Sequence, residues 1–177
     1  MSNLRKDYKR EQCYGAERHF VYRTLLNERQ SFDSLVAQTQ EIEGTDAWRK
    51  AYGLDRPLTI EYNTTSTGQD FANRFKISYH VSGSNRAAVV HEMAHCLTPM
   101  DEGHGHSWRS AYIWLMRLAY GSEWADGLAA AFHSSKLSYD IWPCDSGPVF
   151  PPALFDATHG GPLFTPTNNP ARGPIAL

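Results

Sequence analysis

Residues 91–95 read His-Glu-Met-Ala-His, and no other segment limits the fold of this chain so narrowly. On an α-helix, residues four apart lie about 40° apart around the axis and one turn along it. The imidazoles of His91 and His95 would therefore share a face and could hold one ion between them. Glu92 falls about 100° round from His91, on the flank, where its carboxylate can serve a water on that ion without ligating the ion itself. Val89, Val90, Met93, Cys96 and Leu97 make the opposite side apolar. The spacing predicts a helix over residues 85–97, with Ser84 as its N-cap and Pro99 as its stop. Its rear should pack on a core. Its histidine side should face a cleft, where the small Ala87, Ala88 and Ala94 leave room. An accidental HExxH somewhere in a chain of this composition has a chance of roughly 2 %, so its surroundings must add to it.

They do. Four of the eight histidines fall within residues 91–106. His104 and His106 follow His95 by nine and eleven residues, past a polar loop that can fold back. A catalytic zinc takes three protein ligands and keeps a fourth position for water, whereas a structural zinc is closed by four. Either histidine could supply a third ligand, and both together would close the site. His104 opens a His-Gly-x-x-Trp pattern, in which Gly105 permits close backbone approach and Trp108 anchors the next helix. Arg109 reads as a solvated helix charge, Tyr112 as core, and Cys96 as a buried small residue rather than a redox switch.

Around this segment the pattern is α+β. Helical spacing marks residues 16–27, 32–41 and 46–52, the last capped by Thr45 and ended by Gly53. Two alternating stretches, 58–62 and 74–80, read as strands that pair as a hairpin or lie apart in a small sheet. The second precedes the histidine helix and offers an edge for an extended peptide. Residues 63–70 read as a loop. Two helices follow the histidines, 107–120 and 122–132, with Gly121 between them. Residues 1–11 are largely charged and read as a flexible end, 12–140 as the domain, and 141–177 as an irregular tail holding eight of the ten prolines.

Hydrophobic residues make up 41 % of the 177-residue chain, enough for one buried core. A net charge of −2 argues against a broad basic surface for nucleic acid. No apolar run reaches membrane-spanning length, and the polar start is no secretory signal. Three widely spaced cysteines, Cys13, Cys96 and Cys144, form neither a disulfide framework nor a cysteine zinc site. The expected setting is the cytoplasm.

HExxH followed by HGxxW resembles the small SprT-like and related minimal zincins, and most of all a group of short metallohydrolases from actinobacteria and their phages. The likeness is strongest over residues 84–120. It extends weakly to residues 5–17, whose Tyr-x-Ala-Glu at Tyr14–Glu17 is similar to that group's opening. The resemblance implies a zincin-like fold: N-terminal helices, a small β-sheet, an active-site helix and C-terminal helices. It implies Zn2+ held by His91, His95 and His104, with Glu92 as general base, and a peptide or protein as substrate. The chain lacks the four-cysteine zinc ribbon of some SprT-like proteins, which weakens any transfer of their DNA-linked roles. The competing expectation is a non-catalytic protein stabilised by zinc, such as a phage accessory factor.

Overall fold

The computed structural model describes residue 7 and residues 9–21, 24–65, 68–80 and 84–142. The expected tail from residue 143 onward lies outside the described residues. In chain order the elements are α1 (Arg10–Val21), a 3-10 turn (Leu25–Asn27), α2 (Phe32–Glu43), α3 (Asp46–Tyr52), β1 (Thr59–Asn63), β2 (Phe71–Asn73), β3 (Lys76–His80), α4 (Arg86–Leu97), α5 (His106–Tyr120) and α6 (Ser122–Ser134). The fold is α+β.

Most boundaries have a local chemical cause. Ser31 and Thr45 cap α2 and α3, each side-chain oxygen accepting the backbone N–H three residues on. Gly53 ends α3 at φ 67°, the left-handed region that glycine tolerates. Asn85, not Ser84, caps α4, its side chain accepting from the Ala88 N–H. Ser84 is otherwise engaged: its hydroxyl donates to Asp70 at 2.6 Å and its carbonyl accepts from Gln30 N at 3.0 Å. Thr98 is extended because Pro99 follows, and α4 stops there. The helix expected over 16–27 starts earlier, at Arg10, and gives way to a separate 3-10 turn. Thr24 caps that turn through its own hydroxyl, a bond that competes with helix continuation.

The sheet has the order β1-β3-β2. β1 runs parallel to β3, pairing Ile60 with Ile77 and Tyr62 with Tyr79. The two expected strands therefore do not form a hairpin. β3 instead turns back from β2, an antiparallel partner of three residues inside the stretch between them. Phe75, expected in the second strand, sits in that turn: its N–H is taken by the Asn73 side chain at 2.9 Å, and Arg56 covers its ring. β3 is thus the central strand. The edge expected at 74–80 is paired on both sides, and the edge beside α4 belongs to β2.

α4 packs against α5, against β2 and β3 of the sheet, and against α2 and α3. Its buried residues run all round the axis, from Ala87, Val89 and Val90 to Met93, Ala94 and Cys96. It is largely a core helix, and its histidine side meets a cleft at Ala88, His91 and Glu92. α6 packs on α5, and α1 packs on α6. α1 and α6 approach closely at Gly127, where a Cβ would come within 2.5 Å of the Phe20 ring. Trp48, Trp108, Trp114 and Trp124 are all buried. Among the described residues, no helix is long and apolar enough to cross a membrane.

Candidate metal centre

α4 supplies His91 and His95, and the loop before α5 folds back to bring His104 beside them. One ring nitrogen of each can be chosen so that all three lie within 4.8 Å of one another. His91 Nε2 and His104 Nε2 are 3.4 Å apart. Trp108, 0 % exposed, backs all three rings, its centroid 4.8 Å from His91, 5.3 Å from His95 and 4.5 Å from His104. His106 is elsewhere. Its ring bonds Asp140 at 2.9 Å and Ser138 at 3.3 Å, at the surface.

Two carboxylates hold the far nitrogens of the cluster. His91 Nδ1 lies 3.1 and 3.2 Å from the two oxygens of Glu17. Tyr112 donates its hydroxyl to the same carboxylate at 2.7 Å. His104 Nδ1 lies 2.7 Å from Asp7 Oδ2, which also accepts the His104 backbone N–H at 2.9 Å. Gly103 allows this approach: its φ is +58°, and a Cβ there would sit 2.5 Å from the Asp7 oxygen. Carboxylates so placed orient imidazoles and raise their basicity toward an ion at Nε2. Arg109 is buried, contrary to its expected place in solvent. It clamps the loop by donating to the carbonyls of His104 at 2.6 Å and Ser138 at 2.8 Å. Tyr112 is core as expected, yet its hydroxyl is tied to the cluster through Glu17.

The Glu92 carboxylate is 3.9 Å from His91 Nε2 and the residue is only 6 % exposed. It opens onto a cleft of about 260 Å³ whose walls include Tyr14, Glu17, Arg18, Gln69 and His91. Of the three small residues expected around the histidines, Ala88 lines this cleft while Ala87 and Ala94 are in the core.

The electrostatics follow from burial and neighbours. Burial, with the charges of His91 and His104, holds His95 down at about 2. Burial and His91 lower His104 to about 4, against the pull of Asp7. For His91 burial acts downward, but Glu17 outweighs it and lifts the group to about 9. Glu17 itself is lowered: burial raises it, and His91 and Tyr112 more than reverse that. Burial raises Glu92 to about 7, with His91 opposing. Burial also lifts the Tyr14 phenol above its ordinary value, Arg10 opposing, so that it is a neutral donor at pH 7. Three acidic side chains, Asp7, Glu17 and Glu92, thus surround three imidazoles in a largely buried space. Two Nε2 atoms that face each other at 3.4 Å can share a proton or take a metal ion between them. Neutral imidazoles suit borderline ions such as zinc, and the acidic surroundings suit a divalent charge.

Asp7, Arg10, Tyr14 and Glu17 stand out because sequence reasoning did not assign them to the site. Their spacing of three, four and three residues is a helical stripe. That signal was present in the chain, but a charged first stretch reads as a solvated end unless its partner is known. The chain matches no family model, no curated protein and no solved structure.

Proposed function

We infer that the chain is a zinc-dependent metallohydrolase of zincin type whose first candidate reaction is peptide-bond hydrolysis. One observation carries this reading: a carboxylate-anchored group of three histidines has a further carboxylate, Glu92, beside it at the wall of a cleft. His106, which would have closed the group as the fourth ligand of a structural site, is held at the surface by Asp140 instead. That favours a catalytic over a purely structural ion.

A zinc ion bound by His91, His95 and His104 would supply Lewis acidity, polarising a carbonyl and acidifying a water. The protein's own residues supply the rest. Glu92 accepts one proton from the attacking water and delivers it to the leaving amine nitrogen as the C–N bond breaks. Its burial raises its proton affinity toward neutrality, the direction such a base needs. Glu17 and Asp7 fix the ring planes of His91 and His104. Gln69 and Asp70, just ahead of β2, form part of the cleft wall. An extended peptide would run along the β2 edge into it.

Elemental analysis of the purified protein should find one zinc per chain. Glu92→Gln should retain that zinc and lose turnover of a mixed peptide library by about 10²–10⁴-fold. Equal turnover in parent and variant would remove the proposed mechanism.

A further inference from the structure

The three histidines are enclosed unequally. Trp108 covers one side completely and belongs to the core. Tyr14 stands on another side, half-buried, with its ring 4.9 Å from His104 and 5.8 Å from His91, and it lines the same cleft as Glu92. Arg10, one turn earlier on α1, places its guanidinium 5.2 Å from the Tyr14 ring centre. Its Nε is shielded from solvent and has no hydrogen-bond partner among the described residues. Its Nη2 donates to Gln69 at 3.4 Å. Arg10 also acts electrostatically on His95. α1 therefore presents a phenol donor and an incompletely satisfied cation to the open side of the cluster, while Glu92 presents the base.

Resting on the hydrolase reading above, we propose that Tyr14 is a catalytic residue that donates a hydrogen bond to the substrate carbonyl oxygen as that oxygen becomes negative. The proton stays on Tyr14. The water oxygen bonds the carbonyl carbon, its proton passes to Glu92 and then to the leaving nitrogen, and the carbonyl re-forms as the C–N bond breaks. The Arg10 charge stabilises the negative oxygen through space and keeps the phenol ring in place by stacking. Donors aimed at developing charge in a site shielded from water act mainly on the transition state. Their loss should lower kcat and leave KM nearly unchanged.

The test compares full-length parent, Tyr14→Phe and Glu92→Gln, each assayed for metal content, melting and cleavage of a fluorogenic peptide selected with the parent from a mixed library. A second readout is free of turnover: cobalt-loaded parent and Tyr14→Phe are titrated with inorganic phosphate and with azide, followed by visible absorption. Tyr14→Phe should keep its metal and melting temperature, lose about 10²–10³-fold in kcat with KM within about threefold, and bind phosphate about tenfold more weakly with azide nearly unchanged. Unchanged kcat in Tyr14→Phe, while Glu92→Gln is dead, would overturn the role of Tyr14 alone. So would metal loss, or an equal weakening of both anions. A metal-loaded parent with no cleavage would overturn the hydrolase reading and this role together.

Discussion

Glu17 shows how one residue's chemistry depends on where the chain brings it. In sequence it is a carboxylate near a charged terminus. In the fold it bridges the His91 ring and the Tyr112 hydroxyl at the wall of the cleft. Glu17→Gln keeps the shape but removes the charge that orients and strengthens His91 as a donor. Measured above pH 9, where His91 carries no extra proton in either protein, by competition with a coloured chelator, the change should weaken zinc binding about 10- to 100-fold. Equal affinity in parent and variant would make the Glu17 contact irrelevant to the ion. The same pair sets a pH dependence. In the metal-free protein Glu17 keeps a proton on His91 up to about pH 9, while His95 and His104 are already neutral at pH 7. Binding at pH 7 must displace that proton. Apparent affinity should therefore climb by about tenfold per pH unit from 7 toward 9 and level off above. In Glu17→Gln the climb should flatten, because the group holding the proton is gone. A flat profile in the parent would contradict the assignment.

Among the elements, α1 has the least predictable part. It supplies Glu17, Tyr14 and Arg10, and Asp7 lies just ahead of it, yet its main packing partner is α6 rather than the histidine helix. The position of all four side chains thus depends on a contact remote from the cluster, the close approach of Phe20 to Gly127. A methyl at Gly127 must displace the Phe20 ring or the whole helix. Gly127→Ala should destabilise by about 1–3 kcal/mol and also weaken zinc binding, because Asp7 and Glu17 shift with α1. Thermal melting with a parallel metal titration separates the two effects. Lost stability with unchanged affinity would mean that α1 yields only at Phe20.

For the molecule as a whole, a bound ion would tie together segments far apart in the chain: the α4 pair, the loop before α5 and, through the carboxylates, the N-terminal helix. Binding to the folded state alone stabilises it by about 2.7 kcal/mol at a free ion concentration one hundred times Kd. Chelation should lower the melting temperature of the parent by several degrees and leave His91→Ala unaffected. A parent whose melting ignores both zinc and chelator has no ion coupled to this fold.

Local signals account for much of this protein. The HExxH spacing placed α4 to within a residue of its observed start. Thr45 and Gly53 marked both ends of α3, and Gly121 marked the break between α5 and α6. Such features depend on φ, on caps and on a 3.6-residue period, all of which act within a few residues. The pairing of β1 with β3 in parallel, the burial of Arg109 and the separation of His104 from His106 depended on partners tens of residues away. Those two histidines stand two residues apart, His104 in the loop and His106 at the first position of α5. Asp7, 97 residues from His104, holds one ring in the cluster, and Asp140 holds the other at the surface. The chain alone thus determined which imidazoles were available on the helix. Only the packing of α1 on α6 and of α5 on α4 decided which carboxylates would meet them, because a contact across that distance is set by how whole elements bury their faces.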